Sequence, residues 1–219
     1  MGYFVRLMCK EDIVQVTEID REAFPTPWPQ ANYNRELENR LAHYVVACGE
    51  EEEVEELGVE ASLKKDSSKI TSRVKRLFNY NHFFSSELPQ SGGQSIVGFA
   101  GFWIMAGEAH ITNIAVRKLR RRQGVGELLL IAVIDLATGL NARIVTLEVR
   151  GSNTIAQSLY HKYGFIQAGI RHNYYIENKE DAVIMSTGSI VSAPFQVHLQ
   201  QLKKAHSRKW GIALYQIVR

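Results

Sequence analysis

A basic segment that contains two glycines is the part of the sequence best suited to bind a phosphate group. It consists of Arg120, Arg121, Arg122, Gln123, Gly124, Val125 and Gly126. The segment follows an apolar stretch typical of a strand, residues 111–116, and precedes a helical pattern that begins near Glu127. Glycines let backbone N–H groups approach an anion closely, and a helix N-terminus favours negative charge. These features favour a pyrophosphate site, with a solvated basic turn as the alternative.

Two familiar phosphate-binding motifs do not fit this segment. A P-loop requires Gly-Lys-Ser or Gly-Lys-Thr, which the segment lacks. The dinucleotide fingerprint requires a third glycine at the position where this chain has Leu129. The segment therefore disfavours a nucleoside triphosphate or NAD as the ligand.

The histidines and cysteines do not form a metal-binding pattern. None of the 7 histidines, which include His110, His161 and His172, has a His-x-x-x-His spacing with a nearby acid. Cys9 and Cys48 share no metal-ligand spacing. We therefore expect no bound metal, and we interpret the histidines as structural residues and the cysteines as free, buried thiols.

The spacing of apolar residues predicts strands and helices that alternate along most of the chain. Strands are predicted at residues 3–8, 43–48, 96–105, 110–116 and 144–149, with a final strand within 176–186, and helices at residues 13–24, 32–40, 124–138 and 153–163. This order predicts a mixed α/β sheet covered by helices, with ligand sites at strand ends. Residues 188–219 show only a weak amphipathic pattern, which does not place them.

Residues 50–94 differ in composition from the sequence on either side. A strongly acidic run at residues 50–56 precedes a stretch rich in Lys and Arg at residues 64–76. We interpret this region as an insertion with a helix at about 68–78 and a flexible turn at 91–95, either a long hairpin excursion or a regulatory or docking element. The resulting division is one domain over residues 1–187 and a C-terminal extension over residues 188–219.

Composition excludes several broad classes of protein. The 219 residues are 45% apolar, which is enough for one sizeable core and excludes collagen-like, mucin-like and fully disordered chains. The longest uncharged apolar stretch is well short of the roughly 20 residues that span a bilayer. The N-terminus lacks a signal-peptide pattern, so we expect a cytoplasmic protein with no membrane partner. A net charge of +3 gives no support for direct nucleic-acid binding.

Several motifs follow the basic segment in a fixed order. Residues 121–126 fit the signature Arg/Gln-x-x-Gly-x-Gly/Ala, and further motifs lie at residues 147–153, 159–160, 163–165, 171–175 and 180–185. This order resembles the GNAT superfamily of acetyl-CoA-dependent N-acetyltransferases, and within it the RimI-type ribosomal-protein-alanine N-acetyltransferases. The resemblance spans roughly residues 111–185, with weaker similarity at residues 23–25 and at Trp28. The insertion and the C-terminal extension depart from the compact family pattern.

The resemblance implies the GNAT acyl-CoA N-acyltransferase fold, with splayed central strands, and acetyl-CoA as the acetyl donor without a metal. The backbone of Ile114, Ala115 and Val116 would contact the amides of the pantetheine arm, although an apolar strand can equally be plain core. The residues that the resemblance assigns to the pyrophosphate are Arg121, Arg122, Gln123, Gly124, Val125, Gly126 and Glu127. Asn153 is implied as a polar contact further along the cofactor.

The resemblance also implies two catalytic residues. A peptide α-amine has a pKa of about 7.7–8, so a base of modest strength suffices to neutralise it. Glu148 is the predicted base, and partial burial in its apolar strand would raise its pKa, whereas pairing with Arg150 or exposure to solvent is the alternative. Tyr160 is the predicted general acid for the departing CoA thiolate, with core packing as the alternative. Transfer would be direct, without a nucleophilic cysteine.

Aromatic residues are predicted to wall a slot for the acceptor. Phe24, Trp28, Tyr174 and Tyr175 would grip a flexible N-terminus, unless they serve ordinary packing. The implied acceptor is a protein N-terminal α-amine, that of an alanine-starting small-subunit ribosomal protein. The acidic run at residues 50–56 either attracts a basic tail of that protein or is simply solvated. Acetylation of lysine or a small amine, and a non-catalytic acyl-CoA-binding or docking module, remain the alternatives, and the oligomeric state is not determined.

Overall fold

The computed structural model describes residues 2–49 and 95–211, all of which belong to one compact unit. The predicted insertion, with its acidic run and its helix, lies outside the described residues, except for Ser95 at the end of its closing turn. The last residues of the C-terminal extension, 212–219, lie outside them as well.

Strands and helices alternate through the described residues. The strands are β1 (Phe4–Leu7), β2 (Ala42–Gly49), β3 (Ser95–Met105), β4 (Glu108–Val116), β5 (Ile144–Arg150), β6 (Phe165–Tyr175) and β7 (Glu180–Thr187). The α-helices are α1 (Ile13–Ala23), α2 (Gln30–Glu38), α3 (Val125–Gly139), α4 (Thr154–Lys162) and α5 (Ala193–Trp210). Short 3-10 turns lie at Lys10–Asp12 and Lys118–Arg120.

The strands form one seven-stranded mixed sheet in the order β1-β2-β3-β4-β5-β7-β6. All neighbouring pairs are antiparallel except β4 and β5. The parallel pairing runs from Glu108 opposite Ile144 to Ile111 opposite Leu147 and ends there. Beyond that point the two strands separate within the described sheet, and β4 continues against β3 alone. The predicted mixed sheet with splayed central strands is therefore confirmed.

Helices cover both faces of the sheet. Residues of α3, α4 and α5 share one hydrophobic cluster, and residues of α1 and α2 share another on the opposite face. Helix α3 is apolar around nearly its whole circumference, because it lies between the sheet and α5 and is buried on both sides. Within the described residues no helix is long and apolar enough to span a bilayer.

Two elements were not predicted from the sequence. Strand β6 pairs only with β7, and nearly all of its side chains are exposed, so the alternation that marks a half-buried strand is missing. Helix α5 forms most of the described C-terminal extension, and its Leu199 is buried in the α3 cluster. The extension is therefore part of the folded unit through Gly211.

Candidate active site

The separation of β4 from β5 opens a cavity of about 510 Å³ at the centre of the sheet. Its walls come from β4 and β5, the last turn of α1 and the loop after it, Trp103 of β3, the N-cap and last turn of α4, and the end of β6. The predicted site residues that line it are Phe24, Trp28, Ile114, Glu148, Asn153, Tyr160, Tyr174 and Tyr175. Residues 115–116 and 121–127 lie outside this lining. The cavity thus joins the predicted catalytic pair to the predicted acceptor walls.

Glu148 lies on the floor of the cavity with its side chain 7% exposed. Its Oε1 is 3.0 Å from the Nη2 of Arg171, and its Oε2 is 3.0 Å from the Nε2 of His110. Pairing with Arg150, the alternative weighed from the sequence, is wrong, because Arg150 instead pairs with Glu177 and Glu180. A buried carboxylate held by two cationic or hydrogen-bonding partners is positioned to exchange a proton with a ligand in the cavity.

His110 is fixed on its other side by a second chain of hydrogen bonds. Its Nδ1 is 2.9 Å from the Oγ1 of Thr146, and the Thr146 hydroxyl donates to Glu108 at 2.5 Å. Because a hydroxyl has one proton, Thr146 must accept from His110, so we assign the proton to Nδ1. The Nε2 of the same ring lies 3.0 Å from the Oε2 of Glu148, so His110 links Glu148 to Thr146 and Glu108.

The sequence did not predict that His110, which we interpreted as structural, contacts Glu148. It also did not predict Arg171 as a partner of Glu148. Strand register places His110 beside Glu148: His110 lies opposite Thr146 in the parallel pair, and Glu148 follows two residues later on the same face of β5. Arg171 reaches Glu148 from β6, the strand that the apolar pattern did not predict.

Tyr160 lies on α4 and is buried at the cavity wall. Its ring packs beside that of Phe165, with the ring centroids 5.7 Å apart. Burial, with a smaller contribution from Tyr175, raises the pKa of the Tyr160 phenol well above its ordinary value. The phenol is therefore protonated at neutral pH and available as a hydrogen-bond donor.

The predicted phosphate segment forms the turn that begins α3. Gly124, the N-cap residue, has a φ of +81°, and its carbonyl accepts the Leu128 N–H at 2.9 Å. The N–H groups of Val125, Gly126 and Glu127 belong to the first helical turn, where no carbonyl of the helix can accept them. Backbone donors at a helix N-terminus are suited to an anion.

The side chains of this segment differ in their availability. Arg121 and Arg122 are exposed, and the Nε of Arg121 donates to the Val116 carbonyl at 3.2 Å. The Glu127 carboxylate accepts hydrogen bonds from Lys162 at 2.5 Å and from Tyr163 at 2.7 Å. Burial raises the pKa of Glu127, but these hydrogen bonds outweigh it and lower the pKa overall. Glu127 therefore offers its backbone rather than its carboxylate to a phosphate.

The remaining predicted cofactor contacts lie along the splay and at the start of α4. Ile114, Ala115 and Val116 pair with β3 on one edge, while their other edge faces the gap beyond the last β4–β5 pair. Asn153 caps α4, where its Oδ1 accepts the Ala156 N–H at 3.2 Å and its Nδ2 is left as a donor. Strand backbone and amide donor are both placed to meet an extended polar ligand.

Tyr174 and Tyr175 both line the cavity although they are consecutive in a strand. The alternation of side chains is broken because β6 bulges between Arg171 and Tyr175, where Asn173 has a φ of +53°. The two tyrosine rings meet edge to face with centroids 5.2 Å apart, and the Arg150 guanidinium lies 3.8 Å from the centre of the Tyr175 ring. Burial raises the pKa of Tyr175 to about 12.

Two loops meet at the mouth of the cavity. Thr26, in the loop between α1 and α2, donates to Glu177 at 2.7 Å, and Glu177 lies in the turn after β6. Phe24 and Trp28 lie on the same α1–α2 loop, whose position is fixed by a hydrogen bond of 2.5 Å from the Trp28 N–H to Asp20. The aromatic walls are thus held in place by hydrogen bonds on both sides of the opening.

The two cysteines lie away from the cavity, and the prediction that both are buried is confirmed for Cys48 but wrong for Cys9, which is only partly buried. Neither Cys9 nor Cys48 is among the residues that line it. Burial raises the pKa of each thiol to about 11, so both are protonated at neutral pH. Within residues 2–49 and 95–211 no three His, Cys, Asp or Glu side chains are grouped so that they could hold a metal ion.

The parallel strands β4 and β5 separate where the cavity begins. This arrangement is typical of the N-acyltransferases that the sequence resembles. The acetyltransferase (GNAT) family profile matches residues 59–165. A Bacillus subtilis (strain 168) protein, provisionally named as a ribosomal protein bS18-alanine N-acetyltransferase, is 35% identical over 182 residues, which cover 83% of this chain and 92% of that protein. The chain belongs to the GNAT family and is an N-acetyltransferase.

Two further comparisons concern Escherichia coli. The ribosomal protein bS18-alanine N-acetyltransferase of strain K12 is 39% identical over 106 residues, 48% of this chain and 70% of that protein. The crystal structure of the E. coli ribosomal-protein-S18-alanine N-acetyltransferase matches with a TM-score of 0.61 at 24% identity, covering 88% of this chain and 97% of that one. The structural match confirms the GNAT fold.

Proposed function

We propose that this enzyme transfers an acetyl group directly from acetyl-CoA to the N-terminal α-amine of a protein, and that the acceptor is an alanine-starting ribosomal protein. The observation that carries the proposal is the placement of Glu148 and Tyr160 in one cavity that opens between aromatic walls. The E. coli relative is a bS18-alanine N-acetyltransferase and the B. subtilis relative is provisionally named as one, which supports the choice of acceptor.

Acetyl-CoA, which GNAT enzymes use as the donor, fits the residues around the splay. The free edge of β4 at Ile114, Ala115 and Val116 would bind the pantetheine amides, as strand edges bind extended ligands. The N–H groups at the start of α3, with Arg121 and Arg122 beside them, would bind the pyrophosphate. The Nδ2 of Asn153 would donate to the cofactor while its Oδ1 caps α4.

The catalytic step needs one proton removed and one supplied. The amine nitrogen attacks the thioester carbonyl, a C–N bond forms, and the C–S bond breaks. The Glu148 carboxylate, held in position by His110 and Arg171, takes the amine proton. The phenol of Tyr160 donates to the departing sulfur, and its raised pKa keeps it protonated until that step.

Direct transfer is supported by the state of the thiols. A covalent acyl-enzyme on cysteine requires an accessible thiolate. Cys9 and Cys48 have raised pKa values and do not line the cavity. Acetyl-CoA and the acceptor amine would therefore be bound at the same time.

Competition between two amine classes tests the choice of acceptor. Acetyl-CoA would be offered an alanine-starting peptide and spermidine at equal concentration, and the products separated by mass. We expect the peptide to take nearly all the acetyl group, because the aromatic residues that line the cavity can hold the backbone of an extended N-terminus. Preferential acetylation of spermidine would replace the proposal with small-amine acetylation by the same fold.

A further inference from the structure

The last turns of α5 pack directly behind the predicted phosphate segment. The Nε2 of His206, a residue that is 4% exposed, lies 3.1 Å from the Gly124 carbonyl oxygen. A Cβ added to Gly124 would lie 2.7 Å from two ring atoms of Trp210, so the indole is in close contact with the glycine. The C-terminal extension, whose position the sequence did not predict, therefore contacts Gly124, the N-cap residue of α3.

These contacts determine the direction of a backbone donor. The Gly124 carbonyl accepts both the Leu128 N–H and the His206 ring N–H, which together fix the peptide plane between Gly124 and Val125. The carbonyl and the following N–H lie in that one plane and point in opposite directions. Holding the carbonyl toward α5 therefore points the Val125 N–H away from α5, toward the end of the helix where an anion binds.

Helix α5 is anchored firmly enough to act as a support. Leu199 is buried in the same hydrophobic cluster as α3, and Lys203 pairs with Asp135 of α3 at 2.5 Å. His206 is not explained by packing, because its buried Nδ1 has no hydrogen-bond partner among the residues that the structure describes. An unpaired buried ring nitrogen destabilises a fold, and an apolar side chain would avoid it.

We infer that α5 preorganises the pyrophosphate site, with His206 and Trp210 as positioning residues that hold Gly124 and thereby aim the first N–H groups of α3 at the CoA phosphates. The inference rests on the proposed use of acetyl-CoA. It assigns a function to the C-terminal extension: without touching the cofactor, α5 sets the affinity of the enzyme for the phosphate-bearing part of its donor.

The test compares CoA affinity with the affinity for a donor that carries no pyrophosphate. In His206→Leu the ring donor is lost and the buried unpaired nitrogen is removed. We expect the Kd for CoA, measured by calorimetry, to rise about fivefold, the equivalent of one ordinary hydrogen bond. The KM for S-acetylpantetheine and the melting temperature should stay close to wild type. Trp210→Ala should raise the Kd for CoA by a similar factor.

Two variants serve as controls. His206→Gln retains an N–H donor at the corresponding position and should restore CoA affinity. His198→Leu removes another histidine of α5, one whose Nε2 contacts the Lys162 carbonyl at 3.0 Å on an exposed surface. This variant should change neither the Kd for CoA nor the KM for S-acetylpantetheine.

The outcomes separate this inference from the proposed function. Unchanged CoA affinity in His206→Leu and Trp210→Ala, or an equal loss for S-acetylpantetheine, would overturn the positioning role while leaving acetyl transfer intact. Wild-type protein that binds no CoA would overturn the proposed use of acetyl-CoA, and the inference with it. Since CoA binding needs no acceptor, an error about the acceptor would not affect the result.

Discussion

The Nε2 of His110 lies 3.0 Å from the Oε2 of Glu148, and the Nδ1 of the same ring is 2.9 Å from the Oγ1 of Thr146. The pair joins two strands that are parallel at this point and separate just beyond it. Glu148 is therefore oriented by β4 as well as by its own strand. This relationship makes His110 a direct partner of the predicted base.

Removal of the imidazole should slow catalysis without unfolding the enzyme. In His110→Leu, Glu148 keeps only the Arg171 contact, and we expect kcat/KM to fall about tenfold to a hundredfold because the base loses its orientation. His110→Gln, which retains an N–H donor to Glu148, should lose less. Steady-state kinetics at saturating acetyl-CoA provide the measurement, and wild-type kcat/KM in His110→Leu would return the histidine to a structural role.

The variant Tyr160→Phe should distinguish a catalytic role of the Tyr160 hydroxyl from a packing role of its ring. The phenylalanine ring can still pack beside Phe165, so the melting temperature should change little. Loss of the hydroxyl donor should lower kcat about a hundredfold and leave the KM for acetyl-CoA near wild type. If kcat is retained while stability falls, the tyrosine is only a core residue.

The free energy of unfolding at alkaline pH should depend on the buried tyrosine side chains. Burial raises the pKa of Tyr33, Tyr44 and Tyr160 in the folded chain, so above the ordinary phenol pKa of about 10 the unfolded chain releases protons that the folded chain retains. The free energy of unfolding must then fall as pH rises, by about 1.4 kcal/mol per pH unit for each such proton. Urea unfolding from about pH 8 to pH 11 should show this fall, with a shallower slope in Tyr160→Phe. Identical slopes would contradict the burial of this phenol.

Asn153 can be tested for its two roles with two variants. Asn153→Ala removes the side chain that caps α4 and should lower the free energy of unfolding by about 1 kcal/mol. Asn153→Asp keeps a capping oxygen but loses the amide donor, so it should retain stability and weaken CoA binding severalfold. If the aspartate variant binds CoA as wild type does, Asn153 is only a helix cap.

The sequence allows prediction of elements whose burial leaves a periodic pattern. Helix α3 is a nearly continuous apolar run, and strands β4 and β5 carry apolar residues at most of their positions, so their predicted bounds lie close to those observed. Strand β6 could not be found this way, because exposure of nearly all its side chains removes the alternation. Helix α5 has a weak pattern because only Leu199 and His206 of its residues are buried.

The site residues could likewise be predicted only where a local sequence pattern marks them. The residues predicted from motifs, such as Glu148 and Tyr160, lie in elements that the sequence also predicts, β5 and α4. The partners of Glu148 were missed because they depend on register: His110 is brought to it by parallel pairing between β4 and β5, and Arg171 by pairing through β7. No local pattern fixes which residues of distant strands lie opposite each other.

The position of the acetyl group on the acceptor tests most directly whether this enzyme acetylates a protein N-terminus. Peptides that differ only at their first residue, each with an internal lysine, would be treated with acetyl-CoA and either wild-type enzyme or Glu148→Gln, and the modified position determined by tandem mass spectrometry. We expect acetylation of the α-amine of the alanine-starting peptide, reduced at least a hundredfold in Glu148→Gln, because the amide cannot accept the amine proton. Acetylation of the lysine alone, or equal α-amine acetylation by the variant, would contradict this expectation.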